Sequence, residues 1–345
     1  MPERVYLDWN ATAPLRPEAR AAMVAALDVA GNPSSVHAEG RAARALVERA
    51  RSQVAEALGA AGSDIVFVSG ATEAAALAMA GRGLATAAVE HEAVAAWGDG
   101  SLAVGSDGSV RVPQPERAAL QAANSETGVL QELPKGLAVS DMTQAVGKVP
   151  LAFDWTEVGM GLVSSHKLGG PKGVGALVLR RGVELEPRIR GGGQEMGRRS
   201  GTENVAAIAG FGAAAEAAAR DLEGGVWERV AQIRTFLETS LEGGDRPTIL
   251  VGKESRRLPN TSCLITPGWR GETQVMALDL AGFAVSAGSA CSSGKVRESA
   301  VLRAMGYGPG EADCAIRVSI GPETTEGQVG RFLDAFRRLR DRRRT

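Results

Sequence analysis

The chain has 345 residues and a formal net charge of −1, from 39 Lys and Arg against 40 Asp and Glu. Because this charge is close to zero, no overall field attracts nucleic acid or an anionic membrane surface, and we expect neither as a partner. The length allows a large hydrophobic core, which we expect to be divided between two domains of unequal size.

Targeting and redox signals point to the cytoplasm. The N-terminal residues lack the pattern of a secretory signal, and no run of about 18 apolar residues is present to span a membrane. The three cysteines, Cys263, Cys291 and Cys314, are irregularly spaced. This spacing argues against a disulfide scaffold or a zinc site, so we expect a reducing compartment and no bound metal.

The first part of the chain predicts strands alternating with helices. A short strand at 5–8 leads into a turn at 10–14, and a helix follows from Pro17 through Ala30. An amphipathic helix then ends at Leu58, and 64–68 has the apolar character of a buried strand.

A turn of small residues, 69–72, joins this strand to the next helix. Such a turn directs free backbone N–H groups at an anion, and Thr72 adds a hydroxyl. The same residues also suit an ordinary helix N-cap formed by Ser69 or Thr72. The sequence leaves these two interpretations open.

Polar side chains follow several of the next predicted strands. His91 follows the strand at 84–89 and can stack on a planar ligand, although a lone histidine there is more often structural. Asn124 follows a short run at 118–123. Asp141 ends the strand at 137–141, where it either caps a helix or pairs with a cation such as a protonated pyridine nitrogen.

Lys167 lies between an apolar run at 161–164 and a glycine-rich turn, and a second apolar run follows at 174–180. This pattern predicts a lysine held at the end of a strand, where partial burial lowers the pKa of its amine. A neutral amine attacks carbonyls and can hold an aldehyde cofactor as a Schiff base. Taken alone, a lysine in such a position is more often a solvated surface charge.

The alternation of elements predicts an α/β fold, with an open and mainly parallel sheet covered by helices on both faces. We expect runs at 149–153, 161–164 and 174–180 to complete the sheet. Ligands bind beyond the carboxyl ends of the strands in such sheets. The polar residues at predicted strand ends are therefore expected to converge there: residues 69–72, His91, Asn124, Asp141 and Lys167.

The C-terminal part begins with helices at 203–222 and 226–241 and a break in composition at 242–247. Further strands are predicted at 248–251, 261–266 and 284–286, with helices at 271–280, 299–305 and 325–340. Small residues surround Cys291, so we expect an accessible, nucleophilic thiol there. Arg317 lies within an apolar strand at 315–319, where a buried guanidinium needs an anion such as a carboxylate.

Together these residues resemble the cysteine desulfurases, pyridoxal 5′-phosphate (PLP) enzymes of the class V aminotransferase family, and in particular their NifS/IscS-type branch. The likeness covers nearly the whole chain. It rests on the motifs at 31–35, 69–73, 90–91, 164–167, 199–202 and 289–293. It implies the PLP-dependent transferase fold, with a large cofactor-binding domain at 15–245 and a small domain, 1–14 with 246–345, that carries Cys291.

The resemblance also implies cofactor contacts. Lys167 holds the PLP aldehyde and later moves protons, His91 stacks on the ring, and Asp141 pairs with the ring nitrogen. Gln144 contacts the ring oxygen, together with the pair Asn124 and Ser125. The phosphate is bound by Ala71, Thr72, Ser164 and His166. The resemblance also implies a homodimer, in which Thr202 of the other subunit contacts the same phosphate.

For the substrate, the resemblance implies that Arg317 and Asn32 bind the carboxylate of L-cysteine. Cys291 then takes the sulfur as a persulfide, alanine is released, and the sulfur passes to an iron–sulfur scaffold or another acceptor protein. Two residues depart from the family pattern: Ser125 replaces a second asparagine, and Met142 replaces a small residue.

Two other functions remain open at this stage. A related lyase or transaminase, acting for example on selenocysteine or cystine, would use the same cofactor, but a transaminase would not need Cys291. A non-catalytic scaffold that binds a sulfur acceptor would need neither Lys167 nor PLP.

Overall fold

The computed structural model describes residues 4–242, 248–288 and 298–342. Its helices are α1 (Pro17–Leu27), α2 (Ala38–Ala57), α3 (Ala71–Met79), α4 (Glu92–Ala95), α5 (Phe153–Thr156), α6 (Val205–Glu223), α7 (Val226–Thr239), α8 (Gly271–Leu280), α9 (Ala300–Ala304), α10 (Pro309–Ala312) and α11 (Glu326–Asp341). Its strands are β1 (Val5–Tyr6), β2 (Asp64–Val68), β3 (Val139–Asp141), β4 (Met160–Ser164), β5 (Gly175–Leu179), β6 (Ile249–Leu250), β7 (Thr261–Ile265), β8 (Phe283–Ala284), β9 (Ser286–Ala287) and β10 (Ala315–Ser319).

The main sheet has the strand order β2-β5-β4-β3. Strands β3 and β4 are parallel, and isolated parallel bridges continue beyond β3, from Val139 to Ala119 and from Ala118 to Ala85. Strand β5 is antiparallel to both of its neighbours. The predicted α/β fold is confirmed, and the reversed strand β5 is a detail that the apolar run at 174–180 did not reveal.

Helices cover both faces of this sheet, as predicted. On β2, Ile65 and Phe67 pack into a cluster with α2 and α6, where the ring of Phe67 meets Phe211 edge-on at 6.2 Å between centroids. Val66 and Val68 point to the opposite face and pack with α3. Successive side chains of a strand alternate between faces, so a continuous apolar run is what a sheet buried on both sides requires.

A second sheet, β6-β7-β10-β9, is antiparallel and packs with α7, α8 and α11 around its own cluster. Val5 and Leu7 from the start of the chain join this cluster, and β1 pairs with β8. Helix α7 also packs here, although the predicted boundary assigns it to the large domain. The domain boundaries stay a prediction.

One predicted strand is wrong. Residues 149–153 form no strand; instead Phe153 begins α5, and its N–H donates to the carbonyl of Leu58 at the end of α2, at 2.8 Å. Pro150 has no N–H to donate to a sheet ladder; Phe153 is buried in the core cluster instead, and the partly buried Val149 and Leu151 pack against it.

The other differences are of extent. The first helix ends at Leu27, not Ala30, and the run at 284–286 is divided between β8 and β9. The runs at 84–89 and 118–123 contribute isolated bridges in place of full strands.

Within the described ranges, no helix combines the length and apolar character that crossing a membrane requires.

Candidate active site

A cavity of about 560 Å³ lies at the strand ends of the main sheet. Most of the residues that the sequence singled out line it. They are Ala71, Thr72, His91, Ser125, Asp141, Gln144, Ser164, His166, Lys167 and Arg317. The predicted convergence of strand ends on one site is therefore what the fold produces.

Lys167 lies in a 3-10 turn (Ser165–Lys167) directly after β4, as the glycine-rich sequence predicted. Its Nζ donates to the carbonyl oxygens of Asn10 at 2.6 Å and Ala11 at 2.9 Å. The sequence predicted only a turn at 10–14. A polar turn directly after a strand was the available signal, but nothing local says that its carbonyls receive an amine 157 residues away.

The turn before α3 has the features of an anion site. Gly70 is the N-cap and has no side chain, so neither Ser69 nor Thr72 forms the cap that was the alternative interpretation. The turn also lies tight against β5, because a Cβ on Gly175 would lie 2.8 Å from the Cα of Gly70. Because residues 69–72 line the cavity, the positive N-terminal end of α3 faces it, which favours a phosphate.

The two histidines of the cavity have defined environments. The Nδ1 of His91 accepts from the N–H of Ala93 at 3.1 Å, so a neutral ring carries its proton on Nε2. The Nδ1 of His166 lies 3.2 Å from the hydroxyl of Thr12. Burial, with added repulsion from Lys167 and Lys172, lowers the pKa of His166 to about 4, so this ring is neutral at pH 7.

Asp141 ends β3 at the cavity, and its Oδ1 accepts from the N–H of Thr143 at 2.9 Å. A second carboxyl, Glu90, lies in the same region, and its Oε1 accepts from the N–H of Gln121 at 2.9 Å. Burial is the main reason that the pKa of Glu90 rises to about 8; the hydrogen bond from Gln121 opposes this rise, and the charge of Asp141 adds to it. At neutral pH Glu90 therefore keeps its proton.

Arg317 lies on β10 and reaches the cavity from the second sheet. Its Nη2 contacts Oδ1 of Asp8 at 2.8 Å, and its Nη1 donates to the carbonyl of Ser125 at 3.0 Å. Its Nε is buried and has no hydrogen-bond partner among the described residues. The predicted anion partner of this arginine includes Asp8, which the sequence did not identify.

Other predicted site residues lie outside the cavity wall. Asn32 is exposed in a loop, where its Oδ1 accepts from the N–H of Ser34 at 2.9 Å. Thr202 is exposed and lines a separate cavity of about 190 Å³. Asn124 is buried; its Nδ2 donates to the carbonyl of Val89, and its Oδ1 accepts from the N–H of Thr127. Cys291 lies outside the described residues.

The two departures from the family pattern fall in different places. Ser125 lines the cavity, and its carbonyl accepts from Arg317. Met142 is fully buried in the core cluster beneath the sheet, so its bulk is directed away from the cavity.

The aminotransferase class-V family model matches residues 5–99 and 97–332. A cysteine desulfurase from Cereibacter sphaeroides is 41% identical, over 97% of this chain and 95% of its own length. The X-ray structure of a NifS-like protein from Rickettsia africae ESF-5 superposes with a TM-score of 0.89 at 30% identity, covering 98% of this chain and 100% of that one. A structure of SspA in complex with cysteine superposes with a TM-score of 0.75 at 26% identity, covering 93% and 100%.

The matched model spans most of the chain, and the fold and the lysine-containing cavity define a class-V aminotransferase-type enzyme. Membership of that class implies PLP as the cofactor. With near-complete mutual coverage of its relatives, the chain belongs to the cysteine desulfurases of the class-V aminotransferase family.

Proposed function

We propose that this cysteine desulfurase uses PLP to convert L-cysteine into L-alanine and leaves the sulfur as a persulfide on Cys291. The observation that carries the proposal is the meeting of four groups at one cavity. The amine of Lys167, the carboxylate of Asp141, the N-terminus of α3 and the guanidinium of Arg317 come from distant parts of the chain and all line it.

The donor set of the cavity fits PLP. Lys167 would hold the aldehyde, Asp141 the protonated ring nitrogen, and His91 would stack on the ring. Gln144 and Ser125 would contact the ring oxygen, with Asn124 behind them. The phosphate would lie at the N-terminus of α3, bound by Ala71, Thr72, Ser164 and the neutral ring of His166. A cavity of about 560 Å³ is in the usual range for small-molecule sites.

For the substrate, Arg317 would bind the carboxylate of L-cysteine through N–H groups that Asp8 and Ser125 do not use. Asn32 is exposed in a loop outside the cavity wall. Its proposed contact with the same carboxylate therefore requires that loop to approach the site when substrate binds.

The position of Cys291 is supported by its flanking residues. Ser299 donates to Oε2 of Glu126 at 2.6 Å, and Gly288 is so near that a Cβ on it would lie 3.1 Å from the same oxygen. Glu126 directly follows Ser125 of the cavity wall. Both ends of the segment that carries Cys291 thus lie beside the cavity.

PLP, when bound, supplies an electron sink for the bonds at the substrate Cα. The amine of Lys167 would take the Cα proton and later return a proton to the product. The thiolate of Cys291 would attack the substrate sulfur, so that the carbon–sulfur bond breaks as the new sulfur–sulfur bond forms. The carbon skeleton then leaves as alanine.

The test is an assay of alanine and persulfide after L-cysteine is added to the purified, PLP-loaded protein. We expect Cys291→Ala to abolish persulfide formation and Lys167→Ala to abolish the visible absorbance of bound PLP. Cys314→Ala is the matched control, because this thiol is buried and should not matter. Product formation that survives Cys291→Ala would contradict the desulfurase mechanism and favour a transaminase or a related lyase.

We also propose a homodimer in which Thr202 of each subunit reaches the phosphate site of the other. This proposal accounts for Thr202 being exposed and outside the cavity of its own chain. A dimer in solution, with weaker PLP binding in Thr202→Ala, is the expected result; a fully active monomer would contradict it.

A sulfur-acceptor protein, such as an iron–sulfur scaffold in the cytoplasm, is the proposed destination of the persulfide. Transfer of radioactive sulfur from Cys291 to a candidate acceptor would test this step.

A further inference from the structure

A buried lysine that no proposed role uses lies next to the cavity. Lys148 is 4% exposed, in the turn that follows β3. Its Nζ donates to two oxygens of the same residue, Gln144: the backbone carbonyl at 3.1 Å and Oε1 at 2.7 Å. Among the described residues it forms no ion pair with a carboxylate. A lysine buried in this way is costly, so a specific role is expected.

The two hydrogen bonds suit an uncharged amine. Burial lowers the pKa of Lys148 well below its usual range, and the nearby positive charges of Lys167 and Arg317 lower it further. A neutral amine has two N–H groups, and here both meet an oxygen of Gln144. A protonated amine would leave a third N–H without a partner in a dry environment.

These bonds determine how the amide of Gln144 is turned. Because Lys148 donates to the amide oxygen, the amide nitrogen must lie at the other end. That nitrogen, Nε2, donates to the carbonyl of Asn10 at 2.9 Å, the same carbonyl that accepts from Lys167 at 2.6 Å. Gln144 lines the cavity and Lys148 does not, so the bond from Lys148 decides which end of the amide serves the site.

We propose that Lys148 is a positioning residue that holds the oxygen of Gln144 away from the cavity, so that Gln144 offers its remaining N–H to an anionic ring oxygen. This inference rests on the proposed function, in which Gln144 contacts the ring oxygen of PLP. Without Lys148 the amide is free to turn, and its oxygen would repel an anionic oxygen on the ring.

The experiment measures PLP binding to the full-length protein, after removal of bound cofactor, for the wild type, Lys148→Met, Gln144→Ala and the double variant. Methionine matches the length of the buried stem without the amine. We expect each single variant to bind PLP about tenfold more weakly, as for a lost hydrogen bond to a charged group. The double variant should bind no more weakly than Gln144→Ala alone, because Lys148 acts through Gln144.

A spectroscopic measurement separates positioning from a general loss of structure. The pH midpoint of the visible absorbance change of bound PLP should move to higher pH in Lys148→Met, because an anionic ring oxygen that has lost a donor is easier to protonate. The matched control is Lys135→Met, in which an 82% exposed lysine is replaced and neither quantity should change. Losses of affinity that add in the double variant, or an unchanged midpoint, would overturn the inference.

If Lys148→Met does not fold, Gln144→Glu provides the test. Lys148 still has a carboxylate oxygen to bind, but the cavity now meets an acceptor in place of a donor. PLP binding should fall by more than tenfold, and unchanged binding would overturn the inference. Failure of the wild type itself to bind PLP would instead refute the proposed function.

Discussion

The wild type should lose part of its free energy of unfolding as pH becomes alkaline, and replacing Glu90 with glutamine should remove this loss. Glu90 is 6% exposed, its Oε1 accepts from Gln121 at 2.9 Å, and its Oε2 has no hydrogen-bond partner in the described part of the chain. Burial is the main reason that its pKa rises from 4.5 to about 8. Between these two pH values the folded protein keeps a proton that the unfolded chain has released.

The sign and size of the effect follow from linkage. The stabilising contribution of a raised pKa is fully present below pH 4.5 and is lost as pH rises through 8. A difference from 4.5 to about 8 corresponds to at most about 5 kcal/mol of the free energy of unfolding. Glutamine keeps the shape and the oxygen acceptor but has no proton to lose.

The assay is urea denaturation of cofactor-free wild type and Glu90→Gln at pH 5 and pH 9. From pH 5 to pH 9 the free energy of unfolding of the wild type should fall by several kcal/mol more than that of the variant. Glu126, whose buried carboxyl has a pKa near 7, contributes equally to both proteins and cancels. Glu92→Gln is the control at an exposed neighbouring carboxyl. Parallel pH curves for the wild type and Glu90→Gln would refute the reasoning.

Two further predictions concern Arg317 and Glu195. Arg317→Lys keeps the charge but loses the fork that contacts Asp8, so KM for L-cysteine should rise about tenfold or more in steady-state assays, with PLP absorbance unchanged; an unchanged KM would contradict this. Glu195→Ala leaves Arg51 without its buried partner and should lower the free energy of unfolding by about 3 to 5 kcal/mol in urea. Glu48→Ala, which removes an exposed partner of the same arginine, should cost about 1 kcal/mol or less, and equal effects would contradict the burial argument.

Several elements were predictable to the residue because their signals are local. Strands β2 and β10 and helix α8 begin and end where apolar runs or helical periodicity meet turn residues. The predicted strand at 149–153 was wrong because that prediction also relied on a local signal alone. Its apolar character was interpreted as a strand, whereas Phe153 is buried in the core cluster and Val149 and Leu151 pack against that cluster, which no local pattern encodes.

The candidate site was partly predictable in the same sense. Asp141 ends β3 and Lys167 lies in the turn directly after β4, so the sheet itself brings them together at one edge. The carbonyl of Asn10 and the amine of Lys148 were missed, because their roles depend on hydrogen bonds with residues that only the fold makes neighbours.

By itself, the sequence determined the kinds of groups available, most of the order of strands and helices, and the family that the chain resembles. Only the tertiary structure decided that β5 runs against its neighbours, that Thr202 lies outside the wall of the main cavity, and that Lys148 donates to the amide oxygen of Gln144. The physical reason is that a side chain's environment is set by burial and by partners distant in sequence, whereas motifs and periodicity report on the chain's immediate neighbours.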